Sequence, residues 1–188
     1  MILFVTFVIL FLILVNAFYV AAEFAAVSVR RNMIREMAEN GSRVAVHLLK
    51  ILENTKELDR YIAACQFGIT ISSLVLGAYG QVELAAYLFP LFERFGGMDS
   101  VMANSAAALV VLIGLTVFQV ILGELMPKCL ALQFPKQAAL YTYYPMRWTL
   151  AFFAWFIDFL NGSGLLLLKL FRLPPGGHQH IHSQQEIN

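Results

Sequence analysis

Polar residues are so sparse along this chain that they punctuate long apolar runs instead of alternating with them. Three stretches, Ile2 to Val29, Leu58 to Tyr79 and Val101 to Met126, are long and apolar enough to cross a bilayer core, which takes about 20 residues of helix. Between the first two, Met33, Ile34, Met37 and Ala38, then Val44, Ala45, Leu48, Leu49 and Leu52, recur at helical spacing on either side of Asn40-Gly41. That pattern predicts two short amphipathic helices. A fourth apolar region, Tyr143 to Phe171, is opened by Pro145, carries Asp158 and is interrupted by Asn161-Gly162-Ser163-Gly164. It reads as a broken hairpin over about residues 137–172 that dips into one leaflet rather than as a fourth span. The fold class expected is therefore an all-α integral membrane protein: three transmembrane helices, amphipathic juxtamembrane helices and a non-spanning hydrophobic hairpin.

Composition agrees with this pattern. Of 188 residues 60% are hydrophobic and 13% charged, against about 45–50% and about 25% in soluble domains, and the mean hydropathy is +0.71. The net charge of +1 and its scatter give no reason to expect a nucleic-acid partner. The placement of charge is more informative. Arg30, Arg31, Arg35, Arg43, Lys50, Lys56 and Arg60 fall between the first and second spans, whereas Arg94 is the basic residue of the connection around Gln81 to Ser100. By the positive-inside rule the first connection is cytoplasmic and the second outside, which puts the N-terminus outside and the C-terminal end in the cytoplasm. The first apolar run lacks a basic leader and is too long for a signal sequence, so it is expected to stay in the membrane. Cys65 and Cys129 show neither the number nor the spacing of a disulfide framework.

Strongly polar groups inside spans are costly and are therefore candidates for function or for helix association. Gln66, Thr70 and Ser73 share a helical face of the second span, flanked by Ser72, Gly68 and Gly77; a packing seam and a ligand set both fit that face. Asn16, Val20 and Glu23 share a face of the first. The third span ends in Gln119-Val120-Ile121-Leu122-Gly123-Glu124-Leu125-Met126-Pro127-Lys128. Pro127 cannot donate to the carbonyl of Gly123 one turn back, so that oxygen is free to face a ligand beside the Glu124 carboxylate. One carboxylate, one or two carbonyls and several neutral oxygens suit a hard, partly hydrated cation such as Mg²⁺. The alternative is an ion pair between Glu124 and Lys128 one turn on. No His-Glu-x-x-His, no Gly-x-Ser-x-Gly and no pair of membrane carboxylates beside a histidine argues for an enzyme.

Three segments carry a resemblance: Phe18-Tyr19-Val20-Ala21-Ala22-Glu23-Phe24-Ala25, Gln66-Phe67-Gly68-Ile69-Thr70 and, most specifically, Gly123-Glu124-Leu125-Met126-Pro127-Lys128. Over nearly its whole length the chain resembles the transmembrane domain of the CNNM/CorC magnesium transporters. The resemblance implies a plasma-membrane homodimer that moves Mg²⁺, or a cation such as Mn²⁺ or Na⁺, between its spans. It implies Glu124 and the Gly123 carbonyl as ligands, with Thr70 and Ser73 supplying second-span ligands where many members have asparagine. Gln66, Ser72, Glu23, Asn16 and Gln119 would support them. Val20 stands where many members have a serine ligand, so only its backbone carbonyl is left to contribute.

Residues 1–173 would then form the transmembrane domain, with 174–188 the start of a linker to a cytosolic pair of nucleotide-binding CBS modules, and the sequence reads as truncated before them. His178, His180 and His182 in that tail have the look of a solvated linker more than of a metal site. A dimeric membrane module that senses Mg²⁺ or relays a signal to cytosolic domains without transport is the second functional reading.

Overall fold

The structure, a computed structural model, describes residues 2–97 and 99–170. Every element among them is helical: α1 (Ile2–Ser28), α2 (Arg31–Glu39), α3 (Arg43–Glu53), α4 (Thr55–Gly96), α5 (Ser100–Phe118), a π-helical segment (Gln119–Leu125), α6 (Met126–Gln133), α7 (Pro135–Phe152) and α8 (Ala154–Leu170). Three stretches are long and apolar enough to cross a membrane: α1, residues Thr55–Arg94 of α4, and the continuous run Ser100–Gln133. Leu3, Phe4, Phe7, Leu14, Leu74, Val82, Leu109, Ile113 and Phe118 are exposed on them. On a water-soluble protein such a surface would be a large apolar patch; on three spans it is the lipid-facing belt.

The two amphipathic helices form as expected. Gly41 takes φ +87° at the turn between them, a left-handed conformation that suits glycine. The Ser42 hydroxyl then caps α3 by accepting from the Ala45 amide. Ile34 of α2 and Leu48 and Leu52 of α3 are buried, and Arg35 and Glu53 join the outer faces in an ion pair of 2.6 Å.

Three boundaries differ from expectation. The second span is part of a far longer helix: α4 has 42 residues, roughly 63 Å at about 1.5 Å per residue. The polar residues after Tyr79 do not stop it, because Leu84, Ala85, Leu88 and Phe92 still pack against the neighbouring spans; it ends where Gly97 turns left-handed at φ +58°. The third span likewise runs beyond Met126. Pro127 falls in the first turn of α6, where a missing amide costs little, and the break comes at Phe134 (φ −126°, ψ 56°), which Pro135 keeps out of the helical region.

The fourth apolar region is two helices that divide at Phe153 (φ −99°, ψ 13°) and not at Asn161-Gly162-Ser163-Gly164, through which α8 continues. Phe153 and Phe156 close on Phe67 of α4, with ring centroids 5.0 and 4.8 Å away, so packing sets the break. The glycines stay helical, and Ser163 donates back to the Phe159 carbonyl. Pro145 also lies within α7 instead of opening it. The tail with its three histidines lies outside the described residues.

Packing positions the polar residues. One apolar core gathers Ala22, Ala25, Ile34, Leu48, Tyr61, Cys65, Ala131, Met146 and Ile157 at the end of the bundle that carries α2 and α3. A second gathers Val5, Ile9 and Ile13 of α1, Leu76 and Ala85 of α4, and Ala107, Val111 and Leu115 of α5. Each span passes from one core to the other. The transitions fall at Asn16, at Ser72 and Ser73, and at Gly123, so the apolar pattern itself leaves one polar layer where all three spans meet.

Candidate cation site

Asn16 stands at the centre of that layer and is fully buried. Its Nδ2 donates to the Gly123 carbonyl over 3.1 Å. Its Oδ1 lies 2.9 Å from the Ser72 hydroxyl and 3.2 Å from that of Ser73, both positioned to donate. Gln119 Nε2 in turn donates to Ser73 Oγ over 2.5 Å. Residues from α1, α4 and the π-helical segment thus form one connected network, as a buried amide requires if its polar atoms are not to be orphaned.

The π-helical segment explains how Gly123 reaches the layer. In an α-helix the amide of residue 127 would bond the carbonyl of residue 123, and proline has none. The turn widens instead: Met126 N donates to the Ile121 carbonyl, five residues back, and Gly123 is buried with its carbonyl toward Asn16. Such widened turns are frequent at functional sites. A Cβ on Gly123 would stand 3.1 Å from Asn16 Nδ2, so glycine lets α1 approach there without displacing the amide.

Glu124, the next residue, is half-buried. Among the described residues it makes no ion pair and no side-chain hydrogen bond. The pairing with Lys128 is not formed: Lys128 Nζ lies over the Phe24 ring, 4.5 Å from its centroid.

The remaining candidates divide. Ser73 belongs to the network, whereas Thr70 is exposed and donates to the Gln66 carbonyl of its own helix over 2.8 Å. Gln66 is also exposed and reaches Glu23 Oε1 over 3.4 Å, so these two form a separate pair between α1 and α4. Val20 is buried one turn beyond Asn16, within an unbroken helix whose ladder uses its carbonyl. The face of Gln66, Thr70 and Ser73 is thus divided in the fold, and its inward part is Ser72 with Ser73. The reach of Asn16 to Gly123 is a tertiary relationship that no spacing within α1 could signal; the Pro127 that displaces the helix ladder was its one local trace.

No group of three His, Cys, Asp or Glu side chains gathers among the described residues. The connected network itself consists of neutral polar groups: Asn16, Ser72, Ser73, Gln119 and the Gly123 carbonyl. An open depression of about 550 Å³ lined by Arg30, Arg31, Asn32, Met33 and Glu36 lies elsewhere, at the junction of α1 and α2.

The cyclin M transmembrane N-terminal domain family matches residues 7–188. The chain belongs to the CNNM family. Among its relatives are the UPF0053 proteins YhdT and YrkA of Bacillus subtilis, 39% identical over 178 residues and 35% identical over 177. In both comparisons 94% of this chain is covered, but it spans only 38% and 40% of the respective relative. The Polyamine export protein of Haemophilus influenzae is a more distant relative, 24% identical over 162 residues, with 86% of this chain and 36% of that protein covered. In this CNNM transmembrane domain the widened turn Gln119–Leu125 thus brings the Gly123 carbonyl of the third span to a layer shared with the other two.

Proposed function

We propose that this chain forms the membrane part of a divalent-cation transporter whose ion is Mg²⁺, held between the spans and passed across by alternating access. The observation that carries the reading is Glu124: a half-buried carboxylate on a membrane span, without an ion-pair partner among the described residues, next to a carbonyl that the π-helical segment turns into a buried polar layer. An ionisable group at such depth is retained at a cost and calls for a cationic partner. A hard cation with part of its water shell supplies one. Glu124, the Gly123 carbonyl and Ser73 form the ligand set; Thr70 and the Val20 carbonyl join it only if the helices shift. The chain spans 38% and 40% of the two Bacillus subtilis relatives, which leaves room for further domains; we take these to be cytosolic nucleotide-binding CBS modules and the assembly to be a homodimer in the plasma membrane, N-terminus outside.

The test is flux. In sealed vesicles containing the reconstituted chain, an imposed gradient should move Mg²⁺, and Glu124→Gln should abolish the movement while the protein stays folded. Equal flux from both, or none from either under gradients of Mg²⁺, Mn²⁺ or Na⁺, removes the reading; in the second case the non-transporting module takes its place.

A second substrate class is favoured by Val20 and by one relative. Valine at position 20, where many members place a serine hydroxyl, leaves one hard oxygen fewer for a small ion, and the Haemophilus influenzae relative bears the name of a polyamine exporter. Competition decides between them: spermidine that suppresses Mg²⁺ flux and is itself carried would move the assignment to polyamines.

A further inference from the structure

Asn16 has a geometry beyond what helix association requires, and hydrogen-bond valence fixes how it is oriented. A main-chain carbonyl can only accept, so the side-chain atom facing Gly123 is the amide nitrogen. The oxygen of the same amide then faces Ser72 and Ser73, and both hydroxyls are within donating distance of it.

Each hydroxyl has one proton and two lone pairs. Ser72 has alternatives for its proton in the Gly68 and Ile69 carbonyls of its own helix, at 2.8 and 3.0 Å. Ser73 donates to Asn16 Oδ1, and one of its lone pairs accepts from Gln119 Nε2. One lone pair of Ser73 therefore remains, and the Ser73 proton points away from it. A hydroxyl can serve as a cation ligand only in that state, with its proton placed elsewhere.

We infer that Asn16 is the positioning residue of the cation site: a single amide that holds the Gly123 carbonyl through its nitrogen and, through its oxygen, takes the Ser73 proton so that a Ser73 lone pair is left for the ion. The inference rests on the reading of Gly123, Ser73 and Glu124 as ligands and adds what makes two of them acceptors in one register. It also accounts for a fully buried asparagine at the place where α1 passes from one apolar core to the other. Helix association alone would be served by any group that satisfies the neighbours, whereas this arrangement leaves the polar layer facing an ion with acceptors.

The experiment compares Mg²⁺-dependent thermal stabilisation of the full chain in detergent for the wild type, Glu124→Ala, Asn16→Leu and Asn16→Asp, with helicity checked by circular dichroism. The wild type should be stabilised by Mg²⁺, and Glu124→Ala should not. Asn16→Leu keeps the volume but neither polar atom, and its apparent Mg²⁺ affinity should fall by about 10–100-fold, the usual effect of losing a group that orients ligands. Asn16→Asp keeps an oxygen for the Ser73 proton but offers no N–H to the Gly123 carbonyl, so its apparent Mg²⁺ affinity should also fall, although by less than that of Asn16→Leu.

A packing role predicts something else: both Asn16 variants would melt lower without Mg²⁺ yet gain the wild-type increment when it is added. That result, with Glu124→Ala unresponsive, overturns the inference and leaves the transport reading intact. A wild type that responds no more than Glu124→Ala overturns both. If Asn16→Leu does not fold, Asn16→Asp decides alone: an apparent Mg²⁺ affinity below that of the wild type supports the inference, and the wild-type response overturns it.

Discussion

The side-chain amide of Asn16 donates to the main-chain carbonyl of Gly123 across 107 positions of sequence and 3.1 Å of space. This bond ties the first span to the widened turn of the third, and Gly123 permits it by having no side chain. A methyl group there would stand 3.1 Å from Asn16 Nδ2 and 3.7 Å from its Cβ, so the amide would have to give by a few tenths of an ångström while bonded to Ser72 and Ser73. Gly123→Ala should therefore destabilise the protein by about 1–3 kcal/mol, the usual cost of overpacking a close contact. Gly114→Ala, on the same span with nothing within 4 Å of the new methyl, is the control. Thermal unfolding of both in one detergent checks the contrast, and equal midpoints would show that the amide gives way to a methyl group at Gly123 without cost.

A second pair of glycines separates close packing from helix propensity on α4. At Gly68 an added Cβ would meet the Tyr19 ring at 2.5 Å. Tyr19 is restrained in turn, since its hydroxyl shares a 3.2 Å hydrogen bond with the Thr149 hydroxyl of α7. At Gly77 nothing lies within 4 Å. Gly68→Ala should lower stability by about 1–3 kcal/mol, whereas Gly77→Ala should be neutral or stabilising by roughly 0.5–1 kcal/mol through the lower entropy cost of alanine in a helix. Differential scanning fluorimetry reads both; a Gly68→Ala protein as stable as Gly77→Ala would mean that α1 and α4 do not pack at this distance.

The spans were legible in the sequence because a bilayer imposes a length and polarity that few other folds share, and the amphipathic pair because Met33 to Leu52 repeat at helical spacing around a glycine. The ends of helices were less so. Whether α4 stops near Tyr79 or continues to Gly96 depends on Leu84, Leu88 and Phe92 finding partners on other spans, and whether the fourth region breaks at Gly162 or Phe153 depends on Phe67, 86 positions earlier in the chain than Phe153. The same limit applied to the site. Gly123, Glu124 and Pro127 announce themselves within five residues; Asn16 stands out only when α1 is laid against the π-helical turn, and the division of Ser73 from Thr70 follows from which side of α4 faces that turn.

The ion pair of Arg60 with Asp158 offers a prediction with a less obvious sign. The two join the start of α4 to α8 at 3.0 Å, with side chains 31% and 59% exposed, so the pair ranks with surface salt bridges, whose coupling is about 0–1 kcal/mol and shrinks with salt. Arg60 Nε, in contrast, is buried and has no hydrogen-bond partner among the described residues, and an unpaired buried donor costs about 1–3 kcal/mol. Asp158→Asn should therefore lower stability by less than about 1 kcal/mol. Arg60→Met, which removes the orphaned donor while keeping much of the apolar stem, should be neutral or stabilising despite losing the same ion pair. A double-mutant cycle in thermal unfolding at low and high salt measures both effects. Coupling above about 2 kcal/mol that persists at high salt would show that the pair behaves as a buried one, and a large loss on Arg60→Met would show that Arg60 Nε is satisfied by water or lipid.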